Sequence, residues 1–196
     1  MHRYFLLNKP RNMVSQFVSP DKVGLLGELD FDFPEGTHAI GRLDGDSEGL
    51  LILTTNKKVT RLLYNNPTPH QRSYLVMLQN VISDESLQQL KEGVNIKIEG
   101  GKNYLAKPDA VERITAPEKL YAFAMDHRSV YPHTWLLITL SEGKFRQVRK
   151  MVLAIRHRCL RLVRLSIGNI LLEDLPPGTV KELKEEDFFK AAGIPL

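Results

Sequence analysis

Three carboxylates, Asp44, Asp46 and Glu48, stand at alternate positions among Gly41, Gly45 and Gly49, and this stretch offers chemistry by residue type and spacing. Asp-x-Asp-x-Glu-Gly opens like a calcium-binding EF-hand loop. Such a loop needs a bidentate Glu at its twelfth position, which counted from Asp44 is Thr55, and its seventh to tenth positions here are the apolar Leu50 to Leu53. The calcium reading fails. Two others stay open: a glycosidase-like pair in which one acid protonates while one carboxylate attacks, and a single chemical carboxylate flanked by two solvated loop acids. The one cysteine, Cys159, excludes an internal disulfide and every multi-cysteine zinc site, and the six scattered histidines do not replace it. Cys159 lies two residues from His157, but that spacing rarely builds a thiol nucleophile, and the thiol reads as buried and inert.

The second chemical feature is cationic. Lys144, Arg146, Arg149, Lys150, Arg156, Arg158, Arg161 and Arg164 supply eight of the 27 basic residues, with no acid between Glu142 and Glu173. Net charge is only +4, so the concentration of charge in one segment, rather than its total, points to a polyanionic partner. A solvated helix face is the plainer alternative. The absence of local acids for pairing one helical turn away argues against it. A carboxylate beside such a surface repels phosphate unless it has a task or a cationic partner.

Several elements must position these groups. Tyr4 to Leu7 reads as a strand closed by Asn8-Lys9-Pro10. Val23 to Leu29 reads as a short helix weakened by Gly24 and Gly27, and Leu50 to Thr54 as a buried strand. Lys57 to Tyr64 has helical spacing, stopped by Asn65 to Pro69. Ser83 is a good cap for a helix running to Gly93. Strands are expected at 72–78, 94–98, 110–114, 120–125, 134–140, 160–165 and 169–172. Val148, Met151, Val152 and Ile155 recur at helical spacing, so Arg146 to Ile155 is an amphipathic helix with Arg146, Arg149 and Lys150 on its other face. Strands and helices mix without regular alternation, so the fold class is α+β. At about 100 to 200 residues per domain, 196 residues make one domain or two subdomains, here 1–66 and 67–196. No apolar run reaches the ~18 residues of a membrane span, and the four apolar residues Tyr4 to Leu7 are too few for a signal-peptide core. The expected location is the cytoplasm.

Gly41-Arg42-Leu43-Asp44-x-Asp46-Ser47-x-Gly49-Leu50-Leu51-Ile52-Leu53-Thr54 resembles the signature of the RsuA-type ribosomal RNA pseudouridine synthases. Asn8-Lys9-Pro10, Ser73-Tyr74-Leu75-Val76, Glu142 to Met151 and Leu162 to Gly168 are similar to that family's other motifs, in the family's order. Ser47 stands where the family usually has Thr, which keeps the hydroxyl.

The resemblance implies a catalytic fold of two α+β subdomains with mixed sheets flanking a cleft. It implies no S4-type RNA-binding domain, because the first motif begins at Asn8. The implied reaction breaks the glycosidic carbon–nitrogen bond of a uridine in RNA, turns the uracil and rejoins it through carbon, with no cofactor and no metal. Asp44 is then the catalytic carboxylate, acting as nucleophile or base. Tyr74 supplies the aromatic face under an extruded base, and Arg149 is the cation that pairs with Asp44. Phosphate contacts are expected from Arg42, Lys144, Arg146, Lys150, Arg161 and Arg164. With the expected absence of the S4-type domain, the wording Asp46-Ser47-Glu48-Gly49 and the Trp135 strand most resemble the large-subunit branch. Its expected partner is 23S rRNA or a large-subunit assembly intermediate, met by a monomer. Two rivals are a non-catalytic RNA-binding or ribosome-assembly protein on the same scaffold, and a hydrolytic N-glycosidase.

Overall fold

A computed structural model describes residues 2–64, 70–126 and 129–194. Among these, the first elements are β1 (Tyr4–Lys9), β2 (His38–Ile40), β3 (Glu48–Thr54), α1 (Lys58–Tyr64), β4 (Arg72–Gln79), α2 (Asp84–Glu92), β5 (Val94–Lys97) and β6 (Asn103–Ala106). They are followed by β7 (Ala110–Ile114), β8 (His133–Leu140), α3 (Gln147–Ala154), β9 (Cys159–Ile167), β10 (Ile170–Leu171), β11 (Val180–Leu183) and α4 (Glu185–Ala192). The chain divides into two compact units, Met1–His70 with Val163–Leu196, and Gln71–Leu162. A division after residue 66 would leave the C-terminal stretch with the second half. In the structure residues 163–196 belong to the first unit, because β11 pairs with β1.

In the first unit β1 has β11 antiparallel on one edge and β3 antiparallel on the other. The far edge of β3 is shared: His38–Ile40 pairs antiparallel with its end, and Val163 and Arg164 pair parallel with its start at Glu48 and Gly49. The sheet is therefore mixed. Every residue of β1 and β3 is buried, which is why Leu50 to Leu53 read as a continuous apolar run rather than an alternating one. Phe5, Leu7, Met13, Leu26, Leu43, Leu51 and Leu53 form a core on which Phe17, Phe31 and Phe33 pack. On α4, Phe188 stacks on Tyr4 with ring centroids 4.6 Å apart.

In the second unit β8 lies between β4 and β7, antiparallel to both, and β5 and β6 form a separate hairpin. Ser83 caps α2 by accepting from the Ser86 amide at 3.1 Å. Val148, Met151, Val152 and Ile155 of the expected helix join a core with Val76, Leu78, Leu90 and Leu136.

Two sequence expectations need correction. Leu120 to Met125 is not a strand: Tyr121 and Ala124 are buried, Leu120 and Met125 are exposed, and the segment turns into a 3-10 helix at Ala124–Asp126. Burial three residues apart is turn spacing, not strand spacing. The expected helix at 23–29 shrinks to one 3-10 turn, Leu26–Glu28. Its backbone pairs sideways instead, with the Gly24 carbonyl accepting from Val14 N and Leu26 N donating to the Gln16 carbonyl. The expected helix stop at 65–69 lies outside the described residues. No described helix is long and apolar enough to cross a membrane.

Candidate active site and nucleic-acid interface

In the first unit the loop 41–47 enters β3, and Asp44 sits half-buried at its centre. Its two neighbours are fixed by backbone and side-chain bonds from the segment 12–15. The Ser15 hydroxyl accepts from Leu43 N at 2.9 Å and donates to the Leu43 carbonyl at 3.0 Å. Asn12 N donates to the Gly45 carbonyl at 2.7 Å. A turn closes beyond, from Ser47 N to the Asp44 carbonyl at 3.0 Å. A free surface loop would have its orphan backbone groups in water; here they are satisfied by a second, distant piece of chain.

That second segment is itself anchored by Lys9. Its side chain is fully buried, and Nζ donates to the Pro10 carbonyl at 2.9 Å and the Met13 carbonyl at 2.5 Å. Burial pulls the ammonium down to about 8, although Glu48, Asp46 and Asp44 attract the charge and hold it up, while Arg164 pushes against it. Arg164 is also buried; its Nε donates to the Leu50 carbonyl at 2.8 Å and its Nη1 reaches the Arg42 carbonyl at 3.5 Å. Three carboxylates and a second buried cation thus act on the charge of Lys9. Glu48 is buried within β3 rather than in a solvated loop, and Arg42 is exposed. Gly49 has φ +100°, and a Cβ there would lie 2.4 Å from the Arg164 carbonyl oxygen, so the parallel junction requires glycine. Among the described residues no cluster of three or more His, Cys, Asp or Glu side chains is arranged to hold a metal.

In the second unit the cationic residues fall on a turn and on α3. Gln147 braces the turn: its Oε1 accepts from Lys144 N at 2.8 Å and its Nε2 donates to Glu142 at 2.5 Å. The Tyr104 hydroxyl donates to the other oxygen of Glu142, which raises the phenol above its ordinary range, because it now donates to a carboxylate. Arg146 takes a left-handed conformation, φ 53°, immediately before the helix. The expected helix therefore begins at Gln147, with Arg146 as its cap. Lys144 is exposed, and Arg146, Arg149 and Lys150 are half-exposed. Arg149 reaches the Cys159 carbonyl at 3.4 Å through Nη1. Tyr74 lies opposite Ile138 in the β4–β8 pair, is 9% exposed, and belongs to the apolar core of this unit. Cys159 packs half-buried against the same core, and the His157 ring bonds to the Gln79 carbonyl at 2.9 Å.

Arg161 and Arg164, expected to contact phosphate, do not form part of an exposed surface: each is 3% exposed. Arg161 donates to the Phe123 and Ala124 carbonyls at 3.0 and 2.7 Å, with its guanidinium carbon 5.7 Å from the Tyr121 ring centre. Both arginines satisfy turned backbone carbonyls in their own units. Sequence reasoning names Lys9 only within the motif Asn8-Lys9-Pro10 and gives it no role, and it passes over Ser15. The signal available for Lys9 was its place beside Pro10, at the closed end of an apolar strand; Ser15 carried none.

A family model described as RNA pseudouridylate synthase matches residues 3–154. Ribosomal large subunit pseudouridine synthase E of Vibrio parahaemolyticus (serotype O3:K6, strain RIMD 2210633) is 35% identical over 182 residues, 93% of this chain and 74% of that protein. Ribosomal small subunit pseudouridine synthase A of Escherichia coli (strain K12) is 33% identical over 187 residues, 94% of this chain and 72% of that protein. A solved structure described as a crystal structure of pseudouridylate synthase superposes with a TM-score of 0.73 at 26% identity, covering 97% of this chain and 74% of that one. The α+β class with a mixed sheet, expected from the sequence, agrees with that likeness.

Proposed function

The chain belongs to the RNA pseudouridylate synthase family, and from that premise we propose that it converts one uridine of 23S rRNA to pseudouridine, with Asp44 as the catalytic carboxylate. The observation that carries this reading is the clamping of Asp44 on both sides, by Ser15 at Leu43 and Asn12 at Gly45, above the buried Lys9. A carboxylate that merely solvates a loop needs no such support; one that must meet the sugar of a bound uridine does, because misplacement by an ångström costs orders of magnitude in rate. In the proposed reaction the glycosidic bond breaks, the uracil turns, and the sugar is rejoined through carbon. Asp44 acts at the sugar as nucleophile or as base.

Tyr74 contributes an aromatic wall for the extruded base, and Arg149 is the cationic residue that the family motif assigns to the reaction. Arg42, Lys144, Arg146 and Lys150 contact phosphates. The substrate is 23S rRNA or a large-subunit assembly intermediate, by the wording of 46–49 and by likeness to the large-subunit enzyme. No cofactor enters the scheme.

The experiment is pseudouridine formation in a 23S rRNA transcript by the wild type and by Asp44→Asn, with RNA affinity recorded for both. Product from the wild type alone, at equal affinity, is the expected result. Tight, salt-dependent binding with no product from either protein overturns it in favour of a non-catalytic binder. Free uracil among the products makes the enzyme a hydrolase instead.

A further inference from the structure

The largest exposed ring in the second unit's cationic surface is Phe145, 71% exposed. Burying such a ring would gain about 2 kcal/mol, so an apolar side chain held in water at a basic surface is an arrangement to account for. The turn beneath it prevents collapse. Glu142 accepts from Tyr104 and Gln147, Gln147 also accepts from Lys144 N, and the left-handed Arg146 redirects the chain into α3. Phe145 is carried on a braced, not a loose, turn.

Two ammonium groups stand beside aromatic rings of this surface. Lys150 Nζ stands 5.3 Å from the Phe145 ring centre and is fixed there by donating to the Lys97 carbonyl at 2.7 Å. Lys144 Nζ stands 5.2 Å from the neighbouring Tyr104 ring. The nearby acid, Glu142, has both oxygens engaged by Tyr104 and Gln147. A braced, exposed ring with Lys150 over it and Lys144 adjacent in sequence fits a ligand that is flat and apolar on one side and anionic on the other. A nucleotide in an unpaired stretch of RNA has that form, with its base on the ring and its phosphates at the ammonium groups.

We propose that Phe145 is a stacking platform for an unpaired nucleobase of the RNA substrate, with Lys144 and Lys150 holding the phosphates on either side of it. The inference rests on the RNA reading above and adds a base contact to a surface otherwise read as phosphate-binding alone.

The test uses the full chain. Base stacking on an aromatic side chain is worth about 1 to 3 kcal/mol, so Phe145→Ala should weaken binding of a single-stranded segment of the substrate RNA by about 5- to 150-fold, while Phe145→Tyr and Phe145→Trp should bind within about threefold of wild type. Phe145→Trp adds a second indole to the buried Trp135, which is 5% exposed. Its emission should be quenched in proportion to RNA bound, and heparin, which has charge but no bases, should not quench it. Equal RNA affinity of wild type and Phe145→Ala overturns the platform, as does quenching by heparin. Pseudouridine formation by the wild type, measured on the same RNA, separates the two ideas. Its absence with the Phe145 effects intact refutes the catalytic reading and keeps the platform. Its presence without them does the reverse.

Discussion

The carboxylate loop of the first unit and the cationic turn of the second solve opposite problems with similar residues. Near Asp44, Lys9 and Arg164 are buried and donate to backbone carbonyls of the surrounding chain, while Arg42 is exposed. On the turn before α3 the cations remain partly or wholly in water, and the polar side chains beneath them, Gln147 and Glu142, hold the backbone. Directing one carboxylate at one atom demands fixed backbone and local charge compensation. Meeting a polymer of phosphates demands exposed, hydrated charge that gains by releasing counterions. The comparison separates residues whose loss unfolds or misplaces from residues whose loss only weakens encounter.

The largest expected effect is at the junction of the carboxylate loop with β3. Gly49→Ala would place a Cβ 2.4 Å from the Arg164 carbonyl oxygen and 2.6 Å from its nitrogen, both backbone atoms, at a φ that side chains avoid. The strands must part, and the expected loss is about 3 kcal/mol or more, with the first unit failing to fold in the limit. Chemical denaturation checks it; a midpoint equal to wild type would show that the junction yields without cost.

Arg161→Ala comes next and tests the other side of the comparison. It removes a buried guanidinium from two carbonyls, of which that of Phe123 keeps the Asp126 amide at 3.3 Å, so stability should fall by about 2 kcal/mol, or about 6 °C in melting temperature. The salt dependence of RNA binding should not change. A reduced salt slope with unchanged melting temperature would return Arg161 to the phosphate surface.

These two residues also show how much was legible in advance. The buried β3, the Ser83 cap and the apolar face of α3 follow from periodicity and capping chemistry, which act within a few residues. The charge run was read as one surface, but strand periodicity already spoke against that. Arg161 and Arg164 are three apart in β9, so they point to opposite faces and cannot both line one phosphate track. β11 is set by pairing with β1, some 180 residues away in sequence, which no local signal encodes, whereas α4 carries its own helix signals in the acids Glu185 to Asp187 of its first turn and in Gly193 beyond its end. The roles expected of Asp44, Tyr74 and Arg149 come only from the resemblance of motifs. Residue types alone leave three carboxylates open, put Tyr74 in a strand and make Arg149 one cation of eight.

The buried Lys9 gives a pH signature to the carboxylate loop. Its folded value of about 8 lies below the ordinary 10.5, so between those two pH values the unfolded chain holds a proton that the folded chain has released. Folding stability contributed by this group therefore rises as pH increases through that window, by on the order of 3 kcal/mol in all, and the cost of burying the charge is fully present below pH 8. The same deprotonation removes a cation from the neighbourhood of Asp44, Asp46 and Glu48. Stability measured from pH 7 to 10 should rise relative to Lys9→Met, whose difference curve flattens. Parallel curves for the two proteins would mean that Lys9 does not titrate there.

Lys144→Ala should give the smallest effect in stability and the clearest in binding. The ammonium is exposed and its contact with the Tyr104 ring is worth at most about 0.5 to 1 kcal/mol, so the melting temperature should move by no more than about 3 °C. Its charge, however, releases counterions when it meets a phosphate. Losing one such contact should lower the slope of log affinity against log salt by about 0.7 to 0.9, nearly independently of RNA sequence. Pseudouridine formation at saturating RNA should be unchanged, because the encounter and not the placement of Asp44 is affected. A fall in the saturated rate with an unaltered salt slope would mean that Lys144 positions the reacting nucleotide, and the division between a placing unit and a meeting surface would no longer hold at this residue.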